Sequence, residues 1–262
     1  MSTDMVAHPR GKWLLPETGE IVDQFGFLKQ MAKKQVVLLG EFHDVAEIHR
    51  WQLHTASYLH AYRPDMMIGF EMFPVRVQPV LDRWVAGELK TQAFLKAVDW
   101  THIWGFPPEI YLPLFHFCRQ QSVRMLALNC YRELVTRVGK GGWDTIPEAE
   151  RDGLTPSAPP LAGHQAYLES LMRRDNDSSE RSLVSERFMR AQQTWDRAFA
   201  CNIVSALNAS KNKDGTCPLV IGIIGKGHLE YGFGTPYQLA DLGVSDTAVL
   251  LPTDRATHFL ST

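Results

Sequence analysis

The chain has 262 residues, 45% of them hydrophobic and 21% charged, with a formal net charge of −2. That length and composition suit a globular fold with a full core and exclude a disordered or fibrous chain. The charge balance offers no basic face for nucleic acid or an anionic membrane, so neither is an expected partner.

No run is long enough to span a bilayer. Residues 1–10 lack the apolar stretch of a secretory signal. The chain as written therefore reads as cytoplasmic, or as periplasmic or lipid-anchored if its start has been trimmed. None of the four cysteines, Cys118, Cys130, Cys201 and Cys217, sits in a C-x-x-C pair, which argues against a zinc ribbon or a thioredoxin motif. Cys130 and Cys201 lie in apolar stretches and read as small core residues.

In chain order, residues 36–39 (Val-Val-Leu-Leu) read as a buried strand. Residues 46–62 read as a helix, with Asp44 as its N-cap. A second strand, 66–70, ends at Glu71. Helices are expected over 80–85 and near 92–98, then an aromatic, proline-rich loop over 100–108 and a helix over 110–121. Residues 123–128 form a third strand, ending at Asn129. Residues 139–160 are rich in glycine and proline. A helical pattern covers 161–207, with a polar break at 175–179. Its best stretch is 191–207, with Trp195, Phe199, Ile203 and Leu207 at helical spacing. Residues 219–224 form a fourth strand and 248–251 a fifth. Strands alternating with helices predict a parallel sheet with right-handed crossovers. The chain reads as one α/β domain over residues 1–262: a mostly parallel central sheet flanked by helices, with a helical insertion from about residue 139 to 190.

The strand ends carry the chemistry. Gly40-Glu41-Phe42-His43-Asp44 follows the first strand, and Gly225-Lys226-Gly227-His228 follows the fourth. In open α/β folds the carboxyl edge of the sheet is where ligands bind. A histidine after a strand-ending glycine is commonplace by itself. Two such motifs, with a carboxylate at Glu71 closing an otherwise apolar strand, say more, because an unpaired buried carboxylate is costly. Glu41, His43, Glu71 and His228 have two uses. His43, Glu71 and His228 would suit a divalent metal. Alternatively, a carboxylate would orient a histidine as a general base toward water. His49, His54 and His60 lack the spacing of a helical metal pair and read as solvated. The chain has no H-E-x-x-H, no G-x-S-x-G and no G-x-G-x-x-G. Phe42, Phe70, Phe73, Trp100, Trp104, Phe106, Tyr131, Tyr231 and Phe233 cluster around the strand ends, as core packing or as the rim of a pocket for a planar ligand.

Four ordered motifs carry a family resemblance. They are Val37-Leu38-Leu39-Gly40-Glu41-Phe42-His43-Asp44, Gly69-Phe70-Glu71-Met72-Phe73, Ala191-Gln192-Gln193-Thr194-Trp195-Asp196, and the run from Gly225 to Pro236. Together they resemble the ChaN-like haem-binding family, which belongs with the erythromycin esterases and the Tiki proteases. The Tiki resemblance implies metal-dependent hydrolysis through His43, Glu71 and His228. The esterase resemblance adds Glu41 and implies a histidine-activated water. The ChaN resemblance implies haem binding in iron acquisition, by a homodimer holding two stacked haems at its interface. There a tyrosine ligates the iron and a histidine of the partner assists. A tyrosinate suits ferric iron. Tyr167 with His164 is the first candidate pair, because an insertion that covers the sheet edge can also reach a partner. Tyr231 is the alternative, and Lys226 is placed to pair a propionate.

Overall fold

The computed structural model describes residues 11–175, 186–213 and 215–253. A short hairpin, β1 (Trp13–Leu14) and β2 (Ile21–Val22), leads into α1 (Gln24–Met31), where the Asp23 carboxylate accepts the Gly26 amide at 2.7 Å as an N-cap. There follow β3 (Val36–Glu41), α2 (Ala46–Tyr62), β4 (Met66–Pro74), α3 (Gln78–Val85), α4 (Thr91–Ala97), α5 (Trp100–Ile103), α6 (Leu112–Gln120) and β5 (Arg124–Asn129). The second half adds α7 (Arg132–Gly141), α8 (Ala162–Asp175), α9 (Glu186–Ala209), β6 (Leu219–Gly225), α10 (Thr235–Asp241) and β7 (Thr247–Leu250).

The expected parallel sheet is present. Five strands pair in the order β5-β4-β6-β3-β7, all parallel. Both faces are covered, which is why the strands read as unbroken apolar runs. Along β3 the side chains alternate. Val37 and Leu39 join a core with Leu59, Trp84, Phe94 and Phe115 from the helices of the first half. Val36 and Leu38 join a second core with Phe199, Ile203 and Leu207 of α9 and Leu239 of α10. The stripe expected on residues 191–207 thus packs on the sheet, within a helix that starts at Glu186.

The order places β6 between β3 and β4. Glu41 pairs in register with Gly225 across the β3–β6 ladder. The β4–β5 register shifts between Phe70 and Pro74, an irregularity that contains Glu71 and re-aims its side chain. Three adjacent strands therefore deliver Glu41, Gly225 and Glu71 to one edge.

Three local expectations change. Asp44 does not cap α2: the N-cap is Val45, with no side-chain cap bond, and Asp44 is exposed. The stretch after residue 99 is not all loop, because Trp100–Ile103 closes one helical turn that buries Trp100. The range 139–190 begins inside α7 and ends inside α9, with α8 and two 3-10 turns between them. Of the polar break at 175–179, Asp175 ends α8 and the rest lies outside the described residues. Among the described residues no helix is long and apolar enough to cross a membrane.

Candidate functional site

The end of β3 holds a buried carboxylate that orients a histidine. Glu41 Oε1 lies 2.8 Å from His43 Nδ1. A carboxylate only accepts, so Nδ1 carries the proton. The same oxygen accepts from the Tyr111 hydroxyl at 2.8 Å, and Oε2 accepts from Gln52 Nε2 at 3.1 Å. Glu41 is itself buried, and these donors compensate its desolvation. Tyr111 also donates to the His43 carbonyl at 3.1 Å. Burial and the Glu41 charge push the Tyr111 phenol far up, so it stays a donor. Burial opposes charge on His43, but the Glu41 bond and the Glu71 charge outweigh it and raise its pKa.

His49 is not solvated. It is 2% exposed, with Nδ1 3.0 Å from Gln52 Oε1 and Nε2 3.1 Å from the His43 carbonyl. Of the three histidines on α2, the helix turns this one fully inward, against the Tyr111 ring at 4.2 Å. His54 is exposed and His60 half-buried.

A second histidine–carboxylate pair stands across the edge. His228 Nδ1 donates to Asp196 Oδ1 of α9 at 2.8 Å, and Thr235 donates to the same oxygen at 3.0 Å. The Gln192 amide lies 2.9 Å from the same ring nitrogen. Burial alone would lower the His228 pKa, but the charge and hydrogen bond of Asp196, with the Glu71 charge, raise it to about 9. Glu71 sits between the two pairs. Its Oε2 accepts the Gly225 amide, and its Oε1 lies 3.7 Å from His228 Nε2. A Cβ on Gly225 would stand 2.9 Å from His43 Cε1 and 3.2 Å from Glu71 Oε2, so only glycine lets His43 and Glu71 close over this strand end. Asn129 serves the backbone instead, donating to the Glu71 carbonyl at 2.9 Å.

Glu41, His43, Glu71 and His228 thus share one edge, with Trp104 at 4.6 Å and Phe106 at 5.4 Å walling the His43 ring. The expected metal set of His43, Glu71 and His228 is not assembled. Among the described residues no three His, Cys, Asp or Glu side chains are grouped to hold an ion. Each histidine is held through Nδ1 by its own carboxylate, Glu41 for His43 and Asp196 for His228, and His228 Nε2 faces Glu71 at 3.7 Å. Asp196 was missed as a partner. Its signal was an acidic residue one position from Trp195, with Gln192 four residues before it, in a helix whose neighbouring stripe is apolar.

Beyond His228 the chain makes the tight turn Glu230–Gly232, which presents Tyr231. Tyr231 is 75% exposed and has φ 56°, a left-handed conformation that costs a non-glycine residue roughly 1–2 kcal/mol. Phe42, 40% exposed, lies on the same edge, with the Lys226 ammonium 5.3 Å from its ring centroid. Lys226 is also paired with Glu230 at 2.9 Å. Tyr167 of α8 is only 7% exposed, and its hydroxyl donates to Glu230 at 2.6 Å. His164 is buried beside Phe233, their rings 5.9 Å apart, and burial lowers its pKa. The structure therefore gathers Tyr167, His164, Tyr231 and Lys226 around one turn but leaves only Tyr231 presenting its ring to solvent.

A search of curated proteins found no match. The model of the family described as haem-binding uptake, Tiki superfamily, ChaN matches residues 27–239. A solved structure of ChaN of Campylobacter jejuni, described as showing cofacial haem binding, superposes with a TM-score of 0.75 at 16% identity, covering 97% of this chain and 96% of that one. An erythromycin esterase variant, EreC, in its open conformation gives 0.52 at 12% identity, covering 90% and 74%. At these identities the structural likenesses are likenesses of fold. The family model spans most of the chain, and on that match this protein belongs to the haem-binding uptake family, the ChaN proteins of the Tiki superfamily.

Proposed function

We propose that this chain binds ferric haem at the carboxyl edge of its sheet, with Tyr231 as the iron ligand, and that two copies close over the haem as a homodimer. The exposure of Tyr231 carries the reading. A phenol held on the surface, in a backbone conformation that costs free energy, is the sort of strain found at binding sites. Tyr167, the other candidate, is buried and bonded to Glu230. The residues present fit the group: an exposed phenol for the metal, the exposed Phe42 on the same edge for the flat apolar ring system, and the cation of Lys226, which pairs with the residue just before Tyr231. Bound haem would supply an iron centre whose ferric state an anionic oxygen favours. Lys226 would reach a propionate only by giving up or sharing Glu230, and His164 would assist a partner only by leaving its buried place.

Titration of the purified protein with haemin, followed by absorbance and sizing, tests this. The expected result is a saturable Soret shift, a high-spin charge-transfer band and a move from monomer to dimer. Absence of saturable binding would sink the reading.

A second reading is favoured by one observation: the His43 side chain is 32% exposed while its Nδ1 is held by buried Glu41. Such a pair can take a proton from water in a hydrolase, with Tyr111 holding the carboxylate in place. Turnover of a p-nitrophenyl ester should then rise with pH through a midpoint above the ordinary histidine value, since the His43 pKa is raised. Only the neutral imidazole accepts a proton. His43→Ala should remove that activity, and turnover equal to the native protein's would exclude the dyad.

A further inference from the structure

We infer that Tyr167 and Glu230 are positioning residues for Tyr231, so that the helical insertion sets the haem ligand without touching the iron; this rests on Tyr231 being that ligand. The backbone at Tyr231 (φ 56°, ψ 7°) and at Gly232 (φ 69°) is left-handed at two successive residues. A turn of that kind persists only where its surroundings over-determine it. Glu230, the residue just before Tyr231, is fixed at both oxygens. Lys226 holds Oε1 at 2.9 Å from the strand side, and Tyr167 donates to Oε2 at 2.6 Å from α8. These are charge-assisted contacts in a half-buried place, the stronger class of hydrogen bond.

The rings complete the grip. Tyr167 meets Tyr231 edge-on with centroids 5.2 Å apart, and Phe233 lies 5.6 Å from Tyr231 and 6.2 Å from Tyr167, so the three rings form one cluster. Phe233 is in turn pressed on α8, where a Cβ on Gly163 would come within 2.7 Å of its ring. The β6 turn and α8 therefore meet at Glu230 and Phe233, the two residues nearest the strained pair. Tyr167, chosen from the sequence as a ligand, acts on this account through its neighbour.

A double-mutant cycle decides the matter. Native protein, Tyr167→Phe, Tyr231→Phe and the double variant are titrated with haemin, and the charge-transfer band is recorded at saturation. Tyr167→Phe should weaken binding about tenfold, the range for losing one hydrogen bond to a charged group, and should diminish the band. Tyr231→Phe should abolish the band, and the double variant should be no worse than Tyr231→Phe alone. Glu230→Gln, which can still accept from Tyr167 but loses the ion pair, should fall between native and Tyr167→Phe. A purely structural role for Tyr167 would lower affinity with the band intact, or give effects that multiply, and either result overturns the inference. If Tyr167→Phe changes nothing while Tyr231→Phe abolishes the band, the ligand stands and the positioning role falls. If Tyr231→Phe keeps the band, the ligand assignment and this inference fall together.

Discussion

Replacing Asp196 by alanine is expected to cost about 3 kcal/mol at neutral pH, a large share of the stability of an ordinary domain. The His228 side chain is only 12% exposed, and its pKa of about 9 means that the folded protein holds it charged. Asp196 supplies most of what opposes the burial. Without it the imidazolium would face only Glu71, at 3.7 Å, and the ring would deprotonate or the edge would open. The pH dependence carries the signature. A folded pKa raised above the unfolded value adds stability that is complete below about 6.5 and is lost as pH rises through about 9. The gap between native and Asp196→Ala protein, measured by urea unfolding, should therefore be wide at pH 6 and narrow at pH 10. Asp196→Asn, which keeps the shape, should lose the pH-dependent part. A gap that does not change between those two pH values would mean that His228 is not the group responsible.

Tyr231→Phe is expected to weaken ferric haem binding by at least about 100-fold. Loss of a partner outside the metal's own shell already costs 10- to 100-fold, and a direct ligand should cost no less. The change removes one oxygen and leaves the ring, so contacts with Phe233 and Tyr167 survive and the fold should be unaffected. The chemistry gives a second handle. An anionic oxygen favours ferric over ferrous iron. Reducing the haem on native protein should therefore mimic the mutation, and the variant should lose that redox sensitivity. Tyr62→Phe serves as the control, since Tyr62 is exposed at the far end of α2. Equal losses from Tyr62→Phe and Tyr231→Phe would end the assignment.

What could be read from the sequence follows the periodicities. The runs at Val36–Glu41 and Leu219–Gly225 are apolar on both faces, and both are inner strands. A carboxylate inside the apolar run of β4, which continues past Glu71 to Pro74, had to be compensated, and it is, by the Gly225 amide and by His228. Partner choice was not legible. Helical spacing reveals the apolar stripe of α9, but it cannot say that Asp196, one position round, meets a histidine that follows β6. The same holds for His49, Gln52 and Tyr111, whose polar atoms converge on Glu41 from α2 and from the residue that precedes α6. Tyr167 and Tyr231 look alike as letters. What separates them is exposure, which depends on α8 lying against the turn, and no local pattern encodes that contact.

The placement of β6 has a consequence for how the protein is made. β3 pairs only with β6 and β7, both of which lie near the other end of the chain. During synthesis β4 and β5 can pair early, but β3 must wait with both edges open until Leu219–Gly225 has left the ribosome. Contacts of such long sequence separation form slowly, and unpaired apolar strands are prone to join other chains meanwhile. The same strand that ends the wait also carries the turn of Lys226, His228 and Tyr231. A nascent chain therefore has no binding edge at all until its sheet is whole, and a truncation before β6 removes the fold and the site in one step.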